Sequence, residues 1–185
     1  MNDKDLVLVT GASGYIATHV VKQLLDLGYR VRGTVRSLKN EQKIAPLRKL
    51  ATNTKHELEL VEADLKDENS WLNAVKECTY VIHTASPFPA ERPKNENELI
   101  TPAVNGTLFV FRACVQEGAK VKRVVLTSSV ASVAPEVFEE GRKYTAEDWP
   151  EPTGLSPYPK SKVLAEKAAW DFCKQRENEG KECFE

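Results

Sequence analysis

Leu6-Val7-Leu8-Val9-Thr10 runs straight into Gly11-Ala12-Ser13-Gly14-Tyr15-Ile16-Ala17, and these twelve residues decide how the rest of the chain is read. A short, apolar, β-branched run has the pattern of a buried strand. It stops at Gly11, and a helical spacing begins at once: Ile16, Val20, Leu24 and Leu27 form one stripe, with Val21 and Leu25 beside it. Strand, glycine-rich turn and helix in that order open a βαβ unit of the dinucleotide-binding kind. Gly11 permits the tight turn. Gly14 carries no side chain, so backbone N–H groups can approach a pyrophosphate at the positive end of the helix. Ala17 is small enough for close packing of helix on strand. An ordinary βα turn would share the glycines; the flanking strand and helix favour the cofactor reading.

Composition narrows the class. The chain has 185 residues, 41% of them hydrophobic and 29% charged, with a formal net charge of −1. That suits one domain with a real core and offers no basic surplus for nucleic acid. No apolar run approaches the ~20 residues of a membrane-spanning helix. The start, Met1 to Asp5, is polar and does not read as a signal peptide, so the expected location is cytoplasmic. Cys78, Cys114, Cys173 and Cys183 are irregularly spaced, there are three histidines and no C-x-x-C. Reduced thiols are expected, with neither a metal site nor a disulfide framework.

Beyond the first helix, Gly28 marks a stop and residues 29–35 read as a second strand with Val31 and Val35 inward. The carboxyl end of this strand meets the adenosine ribose, where an acid selects NAD and an arginine accommodates the 2′-phosphate of NADP. The words here are Thr34-Val35-Arg36-Ser37. Arg36, helped by Lys43, therefore points to NADP(H), the alternative being two solvated surface cations. A helix over 41–51 buries Ile44, Leu47, Leu50 and Ala51, and a third strand over 58–63 ends at Asp64-Leu65. Asp64 falls on the sheet edge where ligands bind, although an acid there also serves as a turn residue. A short helix over 68–76 directs Trp71, Leu72 and Val75 inward, and the fourth strand, Tyr80 to His83, is followed by Thr84, Ala85 and Ser86. Strands one and four meet where the chain reverses direction across the sheet, and small residues at 84–86 let the nicotinamide ribose approach. His83, ending a buried strand, is read as structural rather than acid–base.

A long helix over 96–118, interrupted near Thr101-Pro102, presents Leu99, Val104, Leu108, Phe111, Ala113 and Val115, with Asn105 inside the apolar face. Strand five, 121–126, is continuous enough to be buried on both faces and ends at Thr127-Ser128-Ser129. Trp149, in the loop 133–155, reads as a substrate lid or as an anchor for that loop. Ser156, as N-cap, opens a last helix reaching about Asn178. Tyr158 and Lys162 stand four residues apart on it, hence on one face. An ammonium beside a phenol favours the phenolate and draws its pKa toward the working range.

Together, Thr10-Gly11-Ala12-Ser13-Gly14-Tyr15-Ile16-Ala17, Val35-Arg36, Ala63-Asp64-Leu65, His83-Thr84-Ala85-Ser86-Pro87, Thr127-Ser128-Ser129, Glu147-Asp148-Trp149 and Tyr158-Pro159-Lys160-Ser161-Lys162 resemble the extended short-chain dehydrogenase/reductases. The likeness is to their dihydroflavonol 4-reductase-like branch, which includes cinnamoyl-CoA, aldehyde and methylglyoxal reductase-like enzymes. Ala17 departs from the family's usual Gly. The resemblance implies an NADPH-dependent reductase of small-molecule carbonyls, aldehyde or ketone to alcohol. In it Ser129 polarises the carbonyl, Tyr158 donates the proton, and Lys162 tunes Tyr158 and binds ribose. Ser128 remains an alternative to Ser129. Asn105 would organise a water relay or make a plain structural bond, and Asp64 with Leu65 would hold adenine. The cofactor set is then Gly11, Ser13, Gly14, Tyr15, Ile16, Arg36, Lys43, Asp64, Leu65, Thr84, Ala85, Ser86, Thr127, Tyr158 and Lys162. A reading from another class is a non-catalytic NADP-binding sensor or interaction domain.

The expected architecture is α/β, a doubly wound Rossmann-type parallel sheet in the order 3-2-1-4-5. Residues 1–185 are read as an NADP-binding domain with its catalytic helix, truncated before the substrate domain of the family. Cys183-Phe184-Glu185 looks like the stub of a sixth strand. An unpaired strand five then predicts self-association, a homodimer in the simplest case, with weak NADPH binding and negligible activity of the isolated chain.

Overall fold

Five short parallel strands lie in the order β3-β2-β1-β4-β5 in a computed structural model that describes residues 5–52, 54–88 and 93–184. They are β1 (Leu6–Val9), β2 (Arg30–Val35), β3 (Leu58–Glu62), β4 (Tyr80–His83) and β5 (Arg123–Leu126). Between and after them come α1 (Tyr15–Asp26), α2 (Glu41–Leu50), α3 (Ser70–Ala74), α4 (Asn97–Cys114) and α5 (Pro157–Asn178), with a 3-10 turn at Val130–Ser132. Two compact units divide the chain. One holds Met1–Ser86, Phe109–Thr127 and Phe184–Glu185, and the other holds Pro87–Leu108 and Ser128–Cys183.

The first unit contains the whole sheet. Alternation along β1 sends Leu6 and Leu8 into one core, with Trp71, Ala74, Val75, Cys78 and Val81, and Val9 into another, with Val21, Leu25, Val31, Ile44 and Leu47. Two cores on opposite faces of one sheet are the doubly wound arrangement. Burying each large side chain contributes roughly 1.5–3 kcal/mol. The centre of the sheet is registered by Val9, opposite Gly33 on β2 and Ile82 on β4. Parallel strands end on the same side, so the turns after all five strands share one edge of the sheet.

Several expectations are corrected by the packing. On α1 the buried residues are Ala17, Val21 and Leu25, whereas Ile16 and Leu27, read as part of the inward stripe, are exposed. The small Ala17 faces the sheet, and the face is set one residue round from the bulkiest stripe. On α3, Trp71, Ala74 and Val75 are inward and Leu72 is 43% exposed, because positions i, i+3 and i+4 share a face and i+1 does not. The long helix is one continuous element, α4, despite Pro102. Its buried positions include Ala103, Thr107 and Val110. Asn105 is exposed rather than inside the apolar face, being two residues, about 200°, round from Ala103. Strand β5 is not buried on both faces: Val125 is 51% exposed, since β5 is the edge strand of the described sheet. Cys183 and Phe184 are not in a strand, and Glu185 lies outside the described residues. Residues 1–4 of the polar start, and residues 53 and 89–92, also lie outside the described residues. No described helix is long and apolar enough to cross a membrane.

Candidate functional site

The residues singled out in the sequence fall into two groups, one in each unit. In the first unit they gather along the carboxyl edge of the sheet. Gly11 has φ +64°, a left-handed conformation that favours glycine. A Cβ there would stand 3.2 Å from the Cα and Cβ of Ala85, so the turns after β1 and β4 need small residues at both positions. The turn is held by partners that sequence reasoning did not name. Gly11 N–H donates to Thr34 Oγ1 at 2.9 Å, Ala12 N–H to the Thr34 carbonyl at 2.8 Å, and the Thr18 hydroxyl to the Ala12 and Gly14 carbonyls at 3.0 and 2.8 Å. Thr10 joins the two central strands: its Oγ1 lies 2.7 Å from His83 Nδ1 and accepts from Ala85 N–H at 2.9 Å, and its carbonyl accepts from the Thr84 hydroxyl. His83 is buried and meets Trp71 edge-on, in keeping with a structural role.

This turn leaves the start of α1 open. Gly14 occupies the cap position without a side-chain cap, and no acid sits in the first turn. Among the described residues, the N–H groups of Tyr15, Ile16 and Ala17 meet no backbone acceptor. Unmatched donors at the positive end of a helix favour an anion. Ser13 is half-buried beside them, and Tyr15 and Ile16 are exposed.

Arg36 is exposed just past β2, and Lys43 is exposed in the first turn of α2, behind the capping Asn40. An acid reaches this edge from the neighbouring strand, although none stands in the segment 34–37 itself. Glu62 reaches across from the end of β3, and its Oε1 accepts from Leu38 N–H at 2.7 Å. Val35 and Glu62 are register partners, a link between positions 27 residues apart that sequence spacing does not reveal. Asp64 does the work of a turn residue, its Oδ1 accepting from Lys66 N–H at 2.9 Å while its carbonyl accepts from Trp71 Nε1 at 3.0 Å. Leu65 packs partly buried against the Trp71 core. Ser86 and Thr127 are exposed at the same edge, and Thr127 N–H donates to the His83 carbonyl at 2.9 Å.

In the second unit, Tyr158 and Lys162 occupy successive turns of α5. Lys162 is 9% exposed, with its Nζ 5.5 Å from the centroid of the Tyr158 ring. Burial holds the Lys162 ammonium below its ordinary pKa, since a desolvated cation is disfavoured. Phe88 meets the Tyr158 ring edge-on at 5.4 Å. The neighbouring Lys160 is taken up by Glu96, at 2.9 Å. Ser156 stands at the N-cap position but makes no cap bond; its hydroxyl donates to Glu136 Oε1 at 2.6 Å and its N–H to Oε2 at 2.7 Å.

The serine pair is separated by its partners. Ser128 donates to Glu166 Oε2 and contacts Ser132 Oγ at 2.8 Å, while Ser132 lies 2.6 Å from the same carboxylate oxygen. Ser129 instead accepts from Ala131 N–H at 3.1 Å, capping the 3-10 turn. A hydroxyl that accepts in this way keeps its own proton to donate. Glu166 was not anticipated, though its spacing was visible: Tyr158, Lys162 and Glu166 follow at steps of four on one helix. Asn105, on α4, is exposed. Trp149 is 44% exposed in its loop, where Asp148 is held below the usual carboxylate range by the Thr145 N–H and by Arg142.

The parallel sheet in the order 3-2-1-4-5, with helices on both faces and a glycine turn after β1, defines a doubly wound α/β protein of the Rossmann type. The chain belongs to the NAD dependent epimerase/dehydratase family, which it matches over residues 7–179. It is 41% identical over 184 residues to the dihydroflavonol 4-reductase of Arabidopsis thaliana, covering 95% of this chain and 47% of that protein. It is 42% identical over 178 residues to cinnamoyl-CoA reductase CAD2 of Medicago truncatula, covering 92% and 54%. Among solved structures, yeast methylglyoxal/isovaleraldehyde reductase complexed with NADPH superposes with a TM-score of 0.79 at 34% identity, over 94% of this chain and 54% of that one. The chain thus spans about half the length of these relatives.

Proposed function

We propose that the chain carries the cofactor-binding and proton-donating residues of an NADPH-dependent reductase that converts an aldehyde or ketone to an alcohol. The observation that carries this reading is the pairing of Tyr158 with a buried Lys162 on α5. Burying a lysine is costly, and a cation kept beside a phenol has a chemical use: it is placed to stabilise negative charge that develops on the tyrosine oxygen during a proton transfer. The relatives named as dihydroflavonol and cinnamoyl-CoA reductases, and the yeast enzyme solved with NADPH, support the class.

The residues present suit the cofactor. The uncapped start of α1 offers Tyr15 and Ile16 N–H groups to a pyrophosphate, and Gly11 and Gly14 keep side chains out of the approach. Arg36 and Lys43 would take the 2′-phosphate, Asp64 and Leu65 the adenine side, and Thr84, Ala85, Ser86 and Thr127 the nicotinamide ribose. When bound, NADPH supplies the hydride. Ser129, with its proton free, polarises the carbonyl, and Tyr158 donates a proton to the developing alkoxide. Ser129 is favoured over Ser128 because the Ser128 hydroxyl is committed to Glu166. The exposure of Asn105 leaves it free for the water relay.

NADPH affinity is read by nicotinamide fluorescence on the chain itself. Turnover is read, against a panel of aldehydes and ketones, on a version extended to its relatives' length. Tyr158→Phe should abolish reduction and leave NADPH affinity nearly unchanged, because the hydroxyl acts chiefly in the transition state. Normal turnover by Tyr158→Phe, or no NADPH binding by the parent chain, would overturn the reading.

A further inference from the structure

Cys173, on α5, and Cys183, beyond its end, bring their sulfurs to 3.2 Å as free thiols. The approach is built by the backbone. Gly180 turns the chain at φ +66°, Gly180 N–H donates to the Glu177 carbonyl at 3.0 Å, and Lys181 N–H donates to the Arg176 carbonyl at 2.9 Å. The Arg176 guanidinium then holds the returning strand of chain, Nε and Nη2 donating to the Glu182 carbonyl at 3.0 and 2.8 Å. Residue 183 is therefore delivered back to the last turns of the helix by a segment that is already ordered, which removes most of the loop-closure cost. Disulfide sulfurs stand about 2.0 Å apart, so closure needs roughly 1 Å of movement, within reach of side-chain rotation. Both cysteines are partly exposed, whereas Cys78 and Cys114 are sealed in a core.

We infer that Cys173 and Cys183 form a dithiol site that small disulfide oxidants, of the oxidised glutathione type, convert to an intramolecular disulfide. Burial and the adjacent thiol push Cys173 up to about 12, so Cys183 opens the exchange. Its thiolate attacks one sulfur of the reagent and expels one glutathione thiolate, leaving a mixed disulfide on Cys183. The sulfur of Cys173 then displaces the second glutathione thiolate and forms the Cys173–Cys183 bond. The two protons lost by the cysteines end on the two expelled thiolates. The protein is oxidised by two electrons and the reagent reduced by two. This site is independent of the reductase reading.

The test equilibrates the chain in buffers of oxidised and reduced glutathione, quenches with an alkylating maleimide and maps peptides by non-reducing mass spectrometry. The wild type should lose two of its four thiols, yield a linked 173–183 peptide within one chain, and retain no glutathione. Cys173→Ser should stop at one glutathione on Cys183, and Cys183→Ser should leave Cys173 reduced. The same chain in urea, where all four thiols are open, shows that the buffer is oxidising. Stable glutathione on both cysteines of the folded wild type, links between chains only, or no loss of thiols in a buffer that oxidises the unfolded chain would each overturn the inference.

Discussion

Gly33 supports the glycine turn after β1 from behind, and replacing it by alanine should damage both stability and the turn. A Cβ at this position would stand 2.7 Å from Ala12 Cβ and 3.2 Å from Leu60 Cδ2. Carbon atoms pack best at about 3.5–4.0 Å, so the first contact overlaps by roughly 0.8 Å or more. Ala12 is fully buried and its N–H is tied to Thr34 at 2.8 Å, so it cannot simply swing aside. Overpacking of this kind costs about 1–3 kcal/mol. For a chain of this size each kcal/mol lowers Tm by roughly 2–4 °C, giving an expected fall of about 2–12 °C for Gly33→Ala. Thermal unfolding followed by far-UV circular dichroism measures it. The companion variant Ala12→Gly removes the methyl group that is struck. In the double variant Ala12→Gly/Gly33→Ala the loss should therefore be smaller than the sum of the two singles. A Tm for Gly33→Ala within 1 °C of the wild type, or strictly additive losses in the pair, would refute the argument.

Arg36→Glu should weaken NADPH at least tenfold while sparing NADH, because it replaces the cation proposed to take the 2′-phosphate by an acid; equal change for both cofactors in a fluorescence titration would count against it. The Tm of Lys162→Met relative to the wild type should be most favourable at neutral pH and become less so as pH rises, even as the change removes turnover. The sign follows from burial, which lowers the folded-state pKa of Lys162 below its ordinary 10.5. The unfolded chain therefore holds this proton more tightly, and the penalty is full below the folded pKa and relieved as pH climbs toward 10.5. The relative Tm of Lys162→Met should fall over that window, which Tm measured across alkaline pH will show. Glu166→Ala frees Ser128 and Ser132 from their shared carboxylate. It should lower kcat without changing NADPH affinity, whereas a wild-type kcat would show that the serine arrangement does not depend on Glu166.

Residues near in sequence carried most of the reading. The strand at 6–9, the glycine turn, the helix after it and the Tyr158–Lys162 spacing are local patterns, and local patterns follow from the periods of strand and helix. The sheet order follows as well, because a right-handed crossover leaves few ways to lay parallel strands together. What sequence missed depends on contact between distant segments. Gly33 is required because Ala12 and Leu60 lie against it, Glu62 reaches the turn after β2 through the β2–β3 register, and Cys173 and Cys183 meet because the chain reverses at Gly180. The same holds for which helix face is buried: a stripe of large residues on α1 yielded to Ala17, Val21 and Leu25. Alone, the sequence determined which residue types the chain offers and how the elements alternate. Only the tertiary structure decided that Ser128 is bound to Glu166 while Ser129 keeps its proton, because hydrogen-bond partners 38 residues apart are chosen by packing in space.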